Sequence, residues 1–461
     1  MSYLRDKLVL VLGLGETGLS LVRWLNAQGA RLRVADTRAA PPGLEEAAKF
    51  VARAELHCGP FAPGLLKGVG LIAISPGVPV DDPLVRRAIE QGIPVAGDIE
   101  LFAQSLPATG RPKIIAITGS NGKTTVTSMV GAMCREAGLD TEVAGNISPA
   151  VLDALLARHG RQPDVWVLEL SSFQLETTQS LAADAATVLN VTEDHLDRYA
   201  DMDAYAAAKE RIFIGCKTRV LNRDDPRSDA MAQAGSACVK FGIRQPQRNG
   251  DWSVRREDDA TWLVQGARLV MNAADLRVTG LHNVANALAA LALCRAVDLP
   301  LEPLCDALRD FRGLPHRVEK VAEICGVTYI DDSKGTNVGA TEAALNGLGM
   351  PAVVILGGDG KGQDFTPLKA AVMDHARAAV LIGRDADAIA AALEGSGKPV
   401  VRAQDMADAV RHGAALAEPG DAVLLSPACA SFDMFRNYQH RAEVFVAAVQ
   451  QLKKEAPCSA V

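Results

Sequence analysis

The 461-residue chain is poor in aromatic residues, which make up only 4% of it, and it contains no CxxC cysteine pair. Its nine cysteines are scattered between Cys58 and Cys458, and none lies beside a matched histidine cluster. This odd, scattered set predicts neither a disulfide framework nor a zinc site, and it fits a reducing cytoplasm.

Long apolar runs and an excess of positive charge are also missing. No stretch reaches the ~18 apolar residues of a membrane span, and the N-terminus leads into a short strand-like run rather than a signal peptide. The formal net charge of −7 argues against nonspecific nucleic-acid binding. We therefore expect a cytoplasmic protein that has no membrane span and no nucleic-acid partner.

What the chain does contain is a phosphate-binding pattern between Lys113 and Thr125. An apolar strand runs into a glycine-rich turn that ends in Lys-Thr-Thr, where a helix is expected to begin. Gly119 and Gly122 let backbone amides approach phosphate oxygens, while Lys123 supplies a positive charge. The spacing departs from GxxxxGK[ST], because an isoleucine stands where the first glycine belongs. The pattern nevertheless predicts an ATP-using protein rather than a plain strand-to-helix turn.

Strand-like apolar runs alternate with helical patterns along the whole chain, which predicts doubly wound α/β sheets. Turn-rich stretches interrupt this alternation near residues 97–112 and at Gly313-Leu-Pro315. We predict three domains: a Rossmann-like N-terminal domain, a central P-loop-type ATP-binding α/β domain and a C-terminal Rossmann-like α/β domain. Their predicted bounds are 1–97, 98–313 and 314–461.

The first domain carries a second glycine-rich turn, Gly13-Leu-Gly-Glu-Thr-Gly18, directly after a strand. Asp36 follows at the end of the next strand, about twenty residues later, which is the spacing of a dinucleotide fingerprint. Taken alone, this segment would indicate NAD.

Two polar positions lie at the ends of central apolar runs, where open α/β sheets bind ligands. Glu169 lies within Val167-Leu-Glu-Leu170, where an unpaired carboxylate is costly to bury. Mg²⁺ bound to ATP phosphates would balance this charge. The alternative is an ion pair with an arginine that has only a structural role. His195 closes the cluster Asn190-Val-Thr-Glu-Asp-His195, either as a metal or substrate contact or as an ordinary polar histidine.

Four further segments are ambiguous from their local pattern. Lys209 lies in a helix-forming stretch and has the spacing of a solvated lysine. Lys361 follows a strand and either grips a carboxylate or phosphate or belongs to a plain loop. Ser431 is predicted to begin a helix, as an anion-binding N-terminus or an N-cap. The polar region from Gln245 to Trp262 predicts a small hairpin insertion.

Eight motifs follow one another along the chain: Thr118-Gly-Ser-Asn-Gly-Lys-Thr124, Leu168-Glu-Leu-Ser-Ser-Phe173, Asn190-Val-Thr-Glu-Asp-His195, His282-Asn283, Leu314-Pro-His-Arg317, Asp332-Ser-Lys334, Gly357-Gly-Asp-Gly-Lys361 and Ser426-Pro-Ala-Cys-Ala-Ser-Phe-Asp433. In this order they resemble the Mur ligases, ATP-dependent, amide-forming enzymes of peptidoglycan synthesis. The likeness covers essentially the whole chain. It is strongest to the members that join D-glutamate to UDP-N-acetylmuramoyl-L-alanine.

The resemblance implies that the first domain binds the uridine diphosphate of a sugar nucleotide rather than NAD. Glu16 departs from the family pattern, because we expect an apolar residue there and a carboxylate repels phosphates. The positions that match the family's sugar-nucleotide contacts are Thr17, Asp36, Thr37, Arg38, Gly77, Asn146 and His195.

The resemblance also implies residues for the other ligands. The implied ATP contacts are Gly119, Ser120, Asn121, Gly122, Lys123, Thr124, Thr125, Asn286, Arg317 and Asp332. The implied ligands of two Mg²⁺ ions are Thr124, Glu169, His195 and Lys209, the last as a lysine carbamate. The implied contacts of the incoming amino acid are Lys334, Thr336, Lys361, Ser431, Phe432 and Tyr438. The implied catalytic residues are Lys123, Glu169, His195, Lys209 and Lys361.

The implied reaction joins D-glutamate to UDP-N-acetylmuramoyl-L-alanine through an acyl phosphate. The partners would then be these small molecules, and we expect the chain to act as a monomer. Another Mur ligase or a folylpolyglutamate synthase with a different acceptor is the alternative. An NAD-dependent dehydrogenase explains only the first domain, and a noncatalytic nucleotide-binding regulator leaves Lys361 and the Ser431 turn unexplained.

Overall fold

The computed structural model describes residues 2–244, 248–278 and 280–455. Within these ranges the strands form three sheets, each built from one continuous part of the chain. This arrangement confirms the predicted α/β fold class. The exact bounds of the three domains stay predictions.

The first sheet is parallel throughout and has the order β3-β2-β1-β4-β5. Two adjacent strands, β1 and β4, are wholly apolar and almost fully buried, as expected for a parallel sheet covered by helices on both faces. The strands are β1 (Leu8–Leu12), β2 (Arg31–Asp36), β3 (Leu56–Cys58), β4 (Leu71–Ile74) and β5 (Val95–Ala96). The helices are α1 (Glu16–Ala27), α2 (Leu44–Ala47), α3 (Pro83–Glu90) and α4 (Asp98–Ser105), the last of which packs against the second unit.

The second sheet has the order β14-β13-β12-β11-β10-β9-β6-β8-β7 and becomes antiparallel from β12 to β14. Its strands are β6 (Lys113–Thr118), β7 (Thr141–Gly145), β8 (Val165–Glu169), β9 (Ala185–Val188), β10 (Thr218–Asn222), β11 (Ala237–Phe241), β12 (Trp252–Glu257), β13 (Ala260–Gln265) and β14 (Arg268–Asn272). The helices are α5 (Lys123–Glu136), α6 (Val151–Ala157), α7 (Ser172–Glu176), α8 (Met202–Glu210), α9 (Pro226–Ala230), α10 (Leu281–Ala296) and α11 (Leu301–Asp310).

The third sheet has the order β15-β16-β20-β17-β18-β19, and its pairs are parallel except for the edge strand β15. Its strands are β15 (Glu319–Ile324), β16 (Val327–Asp331), β17 (Ala352–Gly357), β18 (Ala376–Ile382), β19 (Val400–Arg402) and β20 (Ala422–Leu425). The helices are α12 (Val338–Gly347), α13 (Leu368–His375), α14 (Ala386–Ala392), α15 (Met406–Leu416) and α16 (Tyr438–Glu455).

Two local predictions have different outcomes. The predicted hairpin insertion is confirmed by the antiparallel pair β12–β13, although residues 245–247 lie outside the described ranges. The predicted helix start at Ser431 is wrong. The backbone amides of Met434 and Phe435 donate to the Ser431 carbonyl and close a turn, and α16 begins only at Tyr438.

The structure also bears on the predictions about disulfide bonds and membrane spans. Cys325 takes part in a disulfide bond, which the scattered cysteine pattern did not predict. Seven other cysteines carry free thiols: Cys58, Cys134, Cys216, Cys238, Cys294, Cys305 and Cys429. In the described part of the chain, no helix has the length and apolar character needed to cross a membrane.

Candidate active site

Neighbouring strands of the second sheet, in the order β9-β6-β8-β7, end at the same edge. All of these pairs are parallel, so the residues that follow the strands meet in space. Asn190 lies after β9, the phosphate loop from Gly119 to Gly122 follows β6, Glu169 ends β8, and Asn146 follows β7. The sequence motifs therefore converge because of the strand order.

The phosphate loop has the backbone geometry that its glycines allow. Gly122 adopts a left-handed conformation with φ of 82°, and a Cβ there would lie 2.7 Å from the Asn286 Oδ1. The amide of Asn121 donates to the Asn190 side chain at 2.8 Å, and the Ser120 amide donates to the Asn190 carbonyl at 2.9 Å. These bonds hold the loop open at the N-terminus of α5, which favours bound anions.

Two lysines converge on the same carbonyl of this loop. The Lys123 Nζ donates to the carbonyl oxygens of Gly119 and Ser120 at 2.7 and 2.9 Å. The Lys209 Nζ donates to the Gly119 carbonyl at 2.9 Å and lies 4.4 Å from the centre of the Tyr205 ring. Burial lowers the pKa of Lys123, and burial together with the charge of Lys123 lowers the pKa of Lys209 strongly. The interpretation of Lys209 as a solvated lysine is therefore wrong.

Glu169 is buried, and only one of its carboxylate oxygens is satisfied by the protein. Its Oε1 accepts from the Asn146 Nδ2 at 2.7 Å, whereas its Oε2 has no hydrogen-bond partner. Among the described residues no arginine forms a direct ion pair with Glu169, although Arg317 lies near enough for its charge to interact with this carboxylate. A buried carboxylate oxygen that accepts no hydrogen bond, beside a phosphate loop, suits a divalent cation.

His195 and Lys361 meet at Asp194, a residue that the sequence analysis did not single out. The Lys361 Nζ lies 2.7 Å from the Asp194 Oδ1, and the His195 Nε2 lies 3.6 Å from the Asp194 Oδ2. Burial lowers the pKa of His195 to about 4, although Asp194 opposes this shift. His195 is therefore neutral near pH 7, which is the state in which imidazole binds a metal.

A first cavity of about 360 Å³ lies between the first and second sheets. It joins the glycine turn of the first domain to the phosphate loop. Glu16, whose role the sequence left in doubt, also lines it and accepts from the Ser148 hydroxyl at 3.1 Å. The predicted residues that line this cavity are Thr17, Gly77, Lys123, Asn146, His195 and Lys209.

A second cavity of about 310 Å³ lies between the second and third sheets. Burial raises the pKa of Asp332 to about 7 and lowers the pKa of Lys334 to about 8, in each case with Arg317 nearby. The predicted residues that line this cavity are Asn121, Gly122, Thr125, Asn286, Arg317, Asp332 and Lys334.

The remaining predicted amino-acid contacts lie on loops at the carboxyl ends of β16, β20 and β17. Arg441 is fully buried and donates to the carbonyls of Ser333 and Cys429, so it ties two of these loops together. The Lys334 Nζ lies 3.8 Å from the centre of the Tyr438 ring. The other predicted contacts on these loops are Thr336, Lys361, Ser431 and Phe432, of which Phe432 is 73% exposed.

Some predicted residues stand apart from both cavities. Asp36 lines neither cavity, and its carboxylate accepts from the Leu14 amide and from Arg38, which lowers its pKa to about 2. Thr37 and Arg38 are exposed and also line neither cavity.

In the described ranges, the cluster of His316, Glu319 and Asp331 has metal-ligand spacing, and it includes none of the predicted metal ligands.

Models of three Mur ligase domains match this chain. The MurD-like N-terminal domain matches residues 7–97, the middle domain matches 117–294, and the glutamate ligase domain matches 316–429. The chain belongs to the Mur ligase family. Because residues 7–97 match a Mur ligase domain, the NAD interpretation of the first glycine turn is set aside.

Curated relatives of this Mur ligase match it over nearly its full length. It is 59% identical over 456 residues to the UDP-N-acetylmuramoylalanine--D-glutamate ligase of Nitrosospira multiformis, with 98% of this chain and 96% of the relative covered. It is 57% identical over 464 residues to the enzyme of the same name from Nitrosomonas europaea, with 99% and 98% covered.

Solved structures of related ligases share the fold. The pseudomurein peptide ligase type C from Methanothermus fervidus has a TM-score of 0.62 at 18% identity, with 97% of this chain and all of that chain covered. The UDP-N-acetylmuramate-alanine ligase MurC from Thermotoga maritima has a TM-score of 0.61 at 18% identity, with the same coverage. At this identity the likeness concerns the fold alone.

Proposed function

We propose that this Mur ligase joins D-glutamate to UDP-N-acetylmuramoyl-L-alanine with ATP, in peptidoglycan precursor synthesis. The observation that carries this proposal is the position of one loop between two cavities. Lys123 lines the first cavity, whereas Asn121, Gly122 and Thr125 of the same loop segment line the second. A carboxylate in the first cavity and the terminal phosphate of ATP in the second would meet at this loop.

The chemistry of the side chains suits activation of a carboxylate. The muramoyl-alanine carboxylate would attack the γ-phosphorus and expel ADP, and the amine of D-glutamate would then attack the acyl phosphate and expel phosphate. Lys123 would stabilise the developing charge on the transferred phosphoryl group. Lys334 and Lys361 would hold the two carboxylates of the incoming amino acid.

Mg²⁺ fits the residues at this edge of the sheet. The free Oε2 of the buried Glu169 and the neutral His195 are available donors, and Thr124 stands at the start of α5. These three side chains would hold the ion or ions. When bound, Mg²⁺ supplies positive charge against the phosphates.

Lys209 fits the predicted carbamate. The residue is 1% exposed, and its lowered pKa favours the neutral form that reacts with CO₂. The neutral amine nitrogen would bond to the carbon of CO₂ and release one proton, which converts the amine into an anionic carbamate whose oxygens can bind a metal. We include this modification in the proposal as a second source of metal coordination.

The domain bounds 1–97, 98–313 and 314–461, a monomeric state and a cytoplasmic location complete the proposal. The bounds rest on the turn-rich stretches near residues 97–112 and at Gly313-Leu-Pro315, and the location rests on the role in precursor synthesis.

ADP release with UDP-N-acetylmuramoyl-L-alanine tests the proposed function. We expect release that depends on D-glutamate and not on L-glutamate, meso-diaminopimelate or folate with glutamate. Release that ignores D-glutamate but follows another amino acid would assign the chain to a different ligase.

A further inference from the structure

The short helix α7 follows the end of β8 that carries Glu169 and forms part of the wall of the first cavity. It begins three residues after Glu169, and Ser171, Ser172 and Phe173 line the cavity. The Phe173 ring lies 4.8 Å from the His195 ring in an edge-to-face arrangement. A helix of five residues has little stability of its own, so its position depends on what holds it.

Two buried carboxylates of α4 bind α7 and the turn that follows it. The Asp98 Oδ2 accepts from the Gln174 Nε2 at 2.9 Å. The Glu100 Oε2 accepts from the amides of Gln179 and Ser180 at 2.7 and 2.9 Å, just beyond the end of α7. Both carboxylates are buried and lie outside both cavities.

The contact with Asp98 continues into the capping box of α7. The Gln174 Oε1 accepts from the Ser171 amide at 3.0 Å, and the Ser171 Oγ accepts from the Gln174 amide at 3.2 Å. One amide side chain therefore joins α4 to the turn that carries Ser171. The backbones are also close, since a Cβ on Gly97 would lie 2.4 Å from the Thr177 Oγ1.

We propose that Asp98 is a positioning residue for the ligase reaction, which acts through Gln174 to fix α7 and the sugar-nucleotide side of the active site. The inference rests on the proposed function for its substrate. Residues 171–174 line the first cavity and none of them lines the second. Loss of Asp98 would therefore affect the sugar nucleotide and leave ATP binding intact, which a general loss of stability would not do.

Steady-state kinetics of the full-length enzyme test this role. Asp98→Ala should raise KM for UDP-N-acetylmuramoyl-L-alanine about tenfold, as expected for a lost hydrogen bond to a charged group, while KM for ATP stays within about twofold. Asp98→Asn keeps an oxygen acceptor for Gln174 and should restore KM to near the wild-type value. Glu90→Gln, an exposed acid at the end of α3, serves as the charge-removal control.

A double-mutant cycle separates action through Gln174 from independent effects. Gln174→Ala also removes the capping box with Ser171, so its loss should be at least as large as that of Asp98→Ala. Asp98→Ala should add no further loss when Gln174 is already alanine. If Asp98→Ala does not fold, Asp98→Ser takes its place, because serine stays polar in the first turn of α4 but is too short to reach Gln174. Additive losses, an equal rise in KM for ATP, or an unchanged KM for the sugar nucleotide would overturn the inference. A wild-type enzyme without D-glutamate-dependent ADP release would instead overturn the proposed function.

Discussion

Asn121 and Asn337 face each other and exchange two hydrogen bonds between their side-chain amides. The Asn121 Nδ2 donates to the Asn337 Oδ1 at 3.1 Å, and the Asn337 Nδ2 donates to the Asn121 Oδ1 at 3.0 Å. Asn121 belongs to the phosphate loop, and Asn337 caps α12 of the third sheet through the Ala340 amide. The pair thus links the ATP loop directly to the segment that carries Lys334 and Thr336.

Asn337→Asp separates the cap of α12 from the link to the phosphate loop. Aspartate caps a helix about as well as asparagine, so the cap of α12 should be kept. It cannot donate to Asn121, and its charge would face Asp194, whose Oδ2 lies 3.4 Å from the Asn337 Nδ2. We expect KM for D-glutamate to rise roughly tenfold, since a buried donor is lost and like charges meet.

Asn337→Ala provides the comparison for that experiment. It removes both the helix cap and the link to Asn121. The free energy of unfolding should therefore fall by about 1 kcal/mol, and KM for D-glutamate should also rise. An Asn337→Asp variant with unchanged KM for D-glutamate would show that the amide pair does not influence the amino-acid site.

Lys123→Ala should abolish most of the ATP-dependent chemistry. Loss of a preorganised cation at the phosphoryl group costs on the order of 10²–10³ in kcat. Affinity for UDP-N-acetylmuramoyl-L-alanine, measured by calorimetry, should change far less, because Lys123 is one of many residues that line the first cavity. Lys49→Ala removes an exposed lysine and serves as the control. Equal loss of turnover and sugar-nucleotide affinity would contradict this assignment.

The sheets and the phosphate loop could be predicted from local sequence pattern. The strand-then-glycine pattern at Lys113 to Thr125 predicts β6, the loop and α5 correctly, because each depends on neighbouring residues. The predicted helix start at Ser431 was wrong because local sequence pattern does not decide the structure there. Its small residues suit an N-cap, but the preceding residue Ala430 pairs with Asp359 of another loop, and local sequence does not show that contact.

Side-chain partners from distant segments could not be predicted in this way. Lys209 has the local spacing of a solvated residue and is buried only because α8 packs near the phosphate loop, 90 residues away in sequence. Asp194 and Lys361 are 167 residues apart, and nothing in either segment identifies the other. Asp194 did carry one usable signal, which is its place in a polar cluster directly after a strand.

Lys209 should carry a carbamate in the active enzyme. With ¹³C-labelled CO₂, NMR should show one carbamate carbon that is absent from Lys209→Arg, in which the guanidinium stays charged and cannot add CO₂. Lys217→Arg replaces an exposed lysine and should keep the signal. A signal that persists in Lys209→Arg would place the modification elsewhere, and the lack of any signal in the wild type would remove Lys209 from the metal site.

Asp98 should make stability depend on pH in an unusual direction. Burial raises the pKa of Asp98 to about 6 from an ordinary value of 3.8, so the folded protein binds a proton that the unfolded chain has released. Its contribution is therefore favourable at low pH and is lost as pH rises through 6. Asp98→Asn cannot ionise, so its stability relative to wild type should improve by about 2 kcal/mol between pH 4.5 and pH 8. Urea unfolding of both proteins at the two pH values measures this difference. The contributions of the other titrating groups cancel, because both proteins share them. A difference that stays constant, or that favours the wild type at high pH, would mean that Asp98 is stabilised as a carboxylate.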